Sequence, residues 1–138
     1  MTLELQASAG EVMRAVEALE TFGRTRGIGE RVLFGLSLAL EECASNIVNH
    51  ALQGDMRRTF RVTFEYTGGS MVVELRDPGP VFDPTQAPAR EPSADNDDHP
   101  PGGWGIQIVR RYTDEVRYTR EAGENVLRLT KLLDPPTG

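Results

Sequence analysis

The chain has 138 residues, a hydrophobic fraction of 38% and a formal net charge of −6. This length predicts one domain that can bury a core without disulfides or a structural metal. The acidic balance disfavours direct binding to nucleic acid or to an anionic membrane. We see no apolar run long enough to span a bilayer and expect no signal peptide, and the single Cys43 excludes an internal disulfide. These features predict a reduced, cytoplasmic protein.

In chain order, the hydrophobic periodicity predicts strand, helix, helix, hairpin, long loop, helix and hairpin. The predicted strands cover residues 2–7, 59–67, 70–76, 114–120 and 125–133. The predicted helices cover residues 9–26, 30–52 and 104–112. This order indicates the α+β class, as a two-layer α/β sandwich in which helices lie on one face of a mixed, mostly antiparallel sheet.

The segment that connects the first hairpin to the last helix differs in composition from the rest of the chain. Residues 78–103 contain seven of the nine prolines and five acidic residues. Such a segment cannot form regular structure, and it is long for a passive connection.

The second predicted helix carries a polar stripe beside its apolar one. Glu42, Asn46 and Asn49 project within about 60° of one another. Glu42 and Asn46 are neighbours at i,i+4 spacing, and their oxygens suit Mg²⁺, while the carboxylate could instead accept a proton from a hydroxyl. On the helix alone, a solvated polar face is the commoner interpretation. The apolar stripe expected to pack on the sheet comprises Leu33, Leu36, Leu40, Ile47 and Ala51.

Two glycine-containing segments flank the proline-rich loop. In Asp77-Pro78-Gly79 the aspartate can cap a turn or point its carboxylate at a ligand amine. Gly102-Gly103-Trp104-Gly105 opens a helix, where backbone amides favour an anion. No Lys-Ser/Thr pair follows and no strand precedes it, which excludes a P-loop and a Rossmann fingerprint. Alone, each segment is more often a structural turn than a ligand site.

In combination and in this order, the motifs resemble those of the GHKL ATPase superfamily. Glu42-x-x-x-Asn46-x-x-x-His50-Ala51 is similar to the N box of that superfamily. Asp77-x-Gly79 and Gly103-x-Gly105-Ile106 are similar to its first and second glycine boxes. The spacing and size most resemble the small bacterial anti-sigma-factor serine/threonine protein kinases of the RsbW type, over about residues 3–133.

The resemblance implies a Bergerat-type fold in one domain, residues 1–138, that binds ATP or ADP with Mg²⁺ under a mobile lid at residues 83–103. It implies that Glu42 is the general base, that Asn46 holds Mg²⁺ and that Asp77 bonds the adenine amino group. The other residues that it places at the nucleotide are Asn49, His50, Gly79, Val81, Gly103, Trp104, Gly105, Ile106 and Asn125. Trp104 could instead pack the last helix, and His50 could be an ordinary helix-end histidine.

The chain departs from the family pattern at three places. Val81 stands where the first glycine box usually continues to a glycine. Asn125 stands where many relatives place a threonine that supports the adenine-binding aspartate, and its amide could replace that hydroxyl or simply begin the strand. No Lys or Arg lies between Arg90 and Arg110 to grip a γ-phosphate.

The resemblance implies an ATP-dependent serine/threonine protein kinase that phosphorylates a STAS-type antagonist in a partner-switching system. It further implies a homodimer and, as a second partner, a sigma factor. The alternative is a nucleotide-dependent binding module that sequesters a sigma factor or another regulator without phosphoryl transfer. A detached catalytic half of a histidine kinase is disfavoured, because the helix predicted at 9–26 has no acceptor histidine.

Overall fold

The computed structural model describes residues 1–86 and 105–133. Its strands are β1 (Thr2–Gln6), β2 (Thr59–Tyr66), β3 (Ser70–Asp77), β4 (Glu115–Glu121) and β5 (Glu124–Leu132). They form one five-stranded sheet in the order β1-β2-β3-β5-β4. Every pairing among the described strands is antiparallel, so the sheet that we expected to be mixed has no parallel pair in this part of the chain.

The described residues also form three α-helices, which confirm the predicted α+β class. They are α1 (Ala9–Thr25), α2 (Glu30–Asn46) and α3 (Gly105–Tyr112). The start of α1 agrees with the helix predicted from residue 9, and Ser8 Oγ caps it by accepting a hydrogen bond from the Glu11 backbone N–H at 3.3 Å. No helix in residues 1–86 and 105–133 combines the length and apolar character needed to cross a bilayer.

The end of the second helix differs from the prediction. The regular helix expected up to Leu52 stops at Asn46 and continues as a π-helical turn, Ile47–Ala51. The Leu52 backbone N–H donates to the Ile47 carbonyl, five residues back, at 2.8 Å. A π turn takes in one extra residue and shifts the helical phase, and such turns are frequent at functional sites.

The core lies between the helices and the inner face of the sheet. Along β2 and β3, alternate side chains are at most 1% exposed: Phe60, Val62, Phe64, Met71, Val73 and Leu75. Leu33, Leu36 and Leu40 of the predicted apolar stripe are equally buried. This alternation places the helices on one face of the sheet, as expected.

The outer face of the sheet carries ion pairs that cross the strands. Arg128 of β5 contacts Glu74 of β3 at 3.0 Å and Glu65 of β2 at 3.2 Å. Arg76 contacts the same Glu74 at 2.8 Å. Burial acts to raise the pKa of Glu74, but hydrogen bonds and charges from the two arginines outweigh it and leave that pKa below its usual value. The outer face is therefore polar and internally paired.

The helices α2 and α3 approach each other closely. A Cβ atom placed on Gly35 of α2 would lie 2.5 Å from Cδ1 of Tyr112 in α3. Glycine at this position therefore lets the two helix backbones pack closely. Of the lid predicted at residues 83–103, the structure describes only Asp83–Gln86, which includes the short 3₁₀-helix Pro84–Gln86.

Candidate functional site

A narrow cleft lies where the end of α2 approaches the ends of β3 and β5 and the start of α3. Three polar side chains line it, those of Asn46, Asp77 and Asn125. The other lining residues are Cys43, Ile47, Ala51, Phe82, Pro84, Ile106, Val109, Tyr118 and Leu127. A mostly apolar slot with a few placed polar groups suits a flat aromatic ligand.

The cleft is narrow in this structure. Its volume is about 40 Å³, which accommodates a few water molecules at roughly 10–15 Å³ each but not a purine ring. Phe82 and Pro84 form a wall that borders the solvent, since Phe82 is 49% exposed. Entry of a purine therefore requires this wall to move outward.

Asp77, the last residue of β3, presents one available oxygen to the cleft. The side chain is 4% exposed. Its Oδ1 atom accepts hydrogen bonds from the Gly79 backbone N–H at 2.8 Å and from Asn125 Nδ2 at 3.1 Å. None of the described residues donates to Oδ2. Ser37 Oγ is the only fully buried side-chain oxygen or nitrogen without a partner among the described residues, so Oδ2 of Asp77 is not sealed off, and a ligand N–H group in the cleft could donate to it.

Asn125 lies opposite Asp77 in the antiparallel pairing of β3 with β5. It is 5% exposed and shares the inner face with Leu127 and Leu129, as alternation along the strand predicted at 125–133 indicates. Its amide donates to the Asp77 carboxylate at 3.1 Å, which agrees with the first of the two predicted roles, support of Asp77. Its role toward a nucleotide stays a prediction.

Gly79 is required by the close approach of the turn after β3 to the end of the second helix. A Cβ atom here would lie 2.7 Å from Ala51 Cβ and 2.8 Å from Asp77 Oδ1. Val81, in contrast, is 69% exposed and does not line the cleft, so the turn accommodates a side chain where relatives have glycine.

Asn46 and Glu42 occupy successive turns of α2. Asn46 lines the cleft, whereas the half-buried Glu42 lies one turn earlier and does not. No group of three His, Cys, Asp or Glu side chains that could hold a metal occurs among the described residues. A magnesium ion at Asn46 would therefore depend on water and phosphate oxygens for its other ligands, as Mg²⁺ commonly does.

The remaining predicted site residues divide into three groups. Ile106 is buried and lines the cleft, and Gly105 begins α3. Asn49 and His50 lie in the π turn with exposed side chains, and they do not line the cleft. Gly103 and Trp104 lie outside the described residues.

Several cleft residues were not predicted as part of the site. Cys43 lines the cleft, and burial, followed by the charge of Glu42, raises the pKa of its thiol to about 12. Tyr118 also lines the cleft, and Arg120 lies beside it without lining it; both are on the inner face of β4, opposite Leu127 and Asn125 of β5. Alternation along the predicted strand 114–120 places both on one face, but only the register shows that they approach Asn125.

Comparisons with known proteins agree with this fold. Residues 5–131 match the model of the histidine kinase-like ATPase domain. The chain is 32% identical over 129 residues to the serine/threonine-protein kinase BtrW of Bordetella bronchiseptica, covering 94% of this chain and 91% of that protein. The chain therefore belongs to the histidine kinase-like ATPase domain family, as the motifs indicated.

Two solved structures share the fold at low sequence identity. The RsbU and RsbW domains of Rv1364c from Mycobacterium tuberculosis align over 98% of this chain with a TM-score of 0.68 and 18% identity, and this chain spans 33% of that one. The SiaB–SiaC complex from Pseudomonas aeruginosa aligns over 96% of this chain and 89% of that chain, with a TM-score of 0.63 and 15% identity. At these identities the likeness shows the fold alone.

Proposed function

We propose that the cleft binds the adenine nucleotides ATP and ADP, with the base at Asp77. The Oδ2 atom of Asp77 carries the proposal, because this carboxylate lines an apolar slot and no described residue donates to that oxygen, which leaves it available to a ligand N–H group. The exocyclic amino group of adenine is such a donor, and its ring suits the apolar walls. Membership of the ATPase domain family supports the same ligand.

We further propose that the chain is a protein kinase that transfers the γ-phosphoryl group to a serine or threonine. Glu42 would accept the proton of the attacking hydroxyl, one helical turn before Asn46. Asn46 would hold Mg²⁺, which neutralises phosphate charge when bound. The name of the 32% identical relative, a serine/threonine-protein kinase, supports this activity.

The proposed substrate is a STAS-type antagonist protein in a partner-switching system, with a sigma factor as the second partner and a homodimer as the working form. The RsbW-type resemblance supports these partners, and the shared fold of the SiaB–SiaC complex agrees with a domain that works through protein contacts.

A binding module without phosphoryl transfer is the second candidate, and one observation favours it. No Lys or Arg lines the described cleft. The nearby arginines are already bonded to backbone carbonyls: Arg110 to Thr85 at 3.0 Å and Arg120 to Gly79 at 2.8 Å. Within the described residues, no cation is therefore positioned to stabilise a transferring phosphoryl group.

A transfer assay distinguishes the two candidates. The purified protein is incubated with Mg²⁺-ATP and its cognate antagonist, and phosphoprotein is measured by mass spectrometry. Glu42→Gln removes the base at nearly constant shape and is expected to lower the transfer rate by about 10²–10⁴-fold while ADP binding persists. Glu41→Gln, which changes an exposed neighbour, is the matched control. If the wild type never modifies the antagonist, the kinase proposal is wrong and the binding module remains.

Calorimetry tests the role proposed for Asn46. Wild type and Asn46→Ala are titrated with ADP in the presence and in the absence of Mg²⁺. We expect Mg²⁺ to strengthen ADP binding to the wild type and to have little effect on the variant. The same magnesium dependence in both proteins would remove Asn46 from the metal site.

A further inference from the structure

The side-chain amide of Asn125 joins three parts of the structure through five hydrogen bonds. Its Oδ1 atom accepts from Tyr118 Oη at 2.6 Å, from the Phe82 backbone N–H at 3.2 Å and from Arg120 Nη1 at 3.2 Å. Its Nδ2 atom donates to Asp77 Oδ1 at 3.1 Å and to the Pro80 carbonyl at 2.8 Å. Both amide hydrogens are therefore used, and the oxygen is the shared acceptor of three donors.

The partners of this amide allow only one orientation. The Phe82 backbone N–H can only donate, so the atom facing it must be the amide oxygen. The Pro80 carbonyl can only accept, so the atom facing it must be the amide nitrogen. It follows that the Tyr118 hydroxyl donates to Oδ1, and that the amide presents a hydrogen to Asp77.

The same amide helps to hold the turn Pro78–Phe82. Two prolines in this turn lack an N–H group, which limits the hydrogen bonds that its own backbone can donate. Side chains bind three successive carbonyls instead: Arg58 binds that of Pro78 at 3.3 Å, Arg120 that of Gly79 at 2.8 Å and Asn125 that of Pro80 at 2.8 Å. The turn ends at Phe82, the solvent-side wall of the cleft.

We propose that Asn125, with Tyr118 as a further donor to its amide oxygen, is a positioning residue that sets the Asp77 carboxylate and the Phe82 wall together. The nucleotide part of this inference rests on the proposed function. An adenine base bonded to Asp77 lies against the Phe82 wall, and the Asn125 amide holds both the Asp77 carboxylate and that wall. Loss of the amide is therefore expected to disturb the carboxylate and the wall together. A threonine hydroxyl donates a single hydrogen, so one that supports Asp77 has no hydrogen left for the Pro80 carbonyl.

Three variants separate these two contributions. Asn125→Ala removes both, Asn125→Thr keeps a donor for Asp77, and Tyr118→Phe removes only the hydroxyl that bonds the amide oxygen. Thr119→Ala is the matched control, because this exposed neighbour lies on the opposite face of β4. Amide hydrogen exchange is followed by NMR without nucleotide, and binding of ADP and IDP is measured by calorimetry.

We expect exchange at the Phe82 amide to accelerate about tenfold in all three variants, while exchange at the core residue Val73 stays unchanged. Asn125→Ala should weaken ADP binding about 10- to 100-fold and narrow the preference for ADP over IDP, whose base has a carbonyl in place of the amino group. Asn125→Thr should retain ADP affinity within about threefold. A variant that only destabilises the folded protein would instead lower the affinities for ADP and IDP by the same factor.

Two results would overturn the inference. An unchanged Phe82 exchange rate in Asn125→Thr and Tyr118→Phe would show that the amide does not hold the turn. An unchanged ADP preference in Asn125→Ala would show that it does not set Asp77. A wild-type protein that fails to bind ADP would instead refute the proposed function, and the exchange measurement would still decide whether Asn125 holds the turn.

Discussion

Replacing Asp77 by asparagine should invert the base preference of the cleft and leave the fold intact. The Gly79 N–H and Asn125 Nδ2 both donate to Asp77 Oδ1. In the variant these two donors therefore require the amide oxygen at that position, and the new NH₂ group replaces Oδ2 in the cleft. A donor then faces the adenine amino group where an acceptor was before.

The size of the effect follows from the hydrogen bond that is lost. A bond to a charged acceptor contributes about 1.5–3 kcal/mol, and opposing two buried donors adds a further penalty of about 1–3 kcal/mol. We therefore expect a loss of about 3 kcal/mol or more in ADP binding, which is roughly 150-fold in Kd. The carbonyl of IDP can accept from the new amide, so IDP should lose far less or gain affinity.

Calorimetric titration of wild type and Asp77→Asn with ADP and IDP tests this expectation. Glu17→Gln, which removes an exposed carboxylate on α1, controls for the change in net charge. Thermal unfolding should show that Asp77→Asn is folded, with a free energy of unfolding within about 1 kcal/mol of wild type, because both bonds to Oδ1 persist. A folded variant that binds ADP within threefold of wild type would refute the assignment of the base to Asp77.

Three further predictions concern other parts of the structure. Gly35→Ala should lower the free energy of unfolding by about 1–3 kcal/mol, because the new Cβ atom would overlap Tyr112. Gly10→Ala should not lower it, because the space around Gly10 is open, and thermal denaturation compares the stabilities of the two variants. The buried Cys43 thiol, with its pKa raised to about 12, should react with a disulfide reagent at pH 8 far more slowly than a peptide thiol does, and fast stoichiometric reaction of the folded protein would contradict this. The hydrogen bond from the Leu132 backbone N–H, followed by the interaction with Lys131, lowers the pKa of Asp114 in the folded state. The stability that this carboxylate contributes is therefore present above about pH 4, and it is lost as the pH falls through the lower pKa of the folded state. Asp114→Asn should therefore lower the free energy of unfolding by at most about 1 kcal/mol at pH 7, because this carboxylate is partly exposed and screened, and by less at pH 2.5. Equal losses at both pH values, measured by urea denaturation, would contradict this.

The order and type of the elements follow from sequence periodicity because each depends on its own residues. Alternation along the last predicted strand placed Asn125 on the inner face, and this placement is correct. The register that sets Asn125 opposite Asp77 depends on pairing between segments 48 residues apart in the chain. Local patterns do not encode such a pairing, so the partners of the amide in β4 were not predicted.

The π turn at Ile47–Ala51 shows the same limit at the end of the second helix. Regular α-helical spacing predicted that Asn49 would share a stripe with Asn46, whereas Asn46 lines the cleft and Asn49 is exposed. Val48 and Leu52, which were not on the predicted apolar stripe, are buried in this part of the chain.

The most direct test of nucleotide binding in the cleft is a crystal structure of the wild-type protein with ADP. We expect the adenine amino nitrogen at about 3 Å from Asp77 Oδ2, with the ring between Ile47 and Leu127 and with Phe82 displaced outward. A structure with the base bound elsewhere, and the cleft still closed by Phe82 and Pro84, would contradict the proposal.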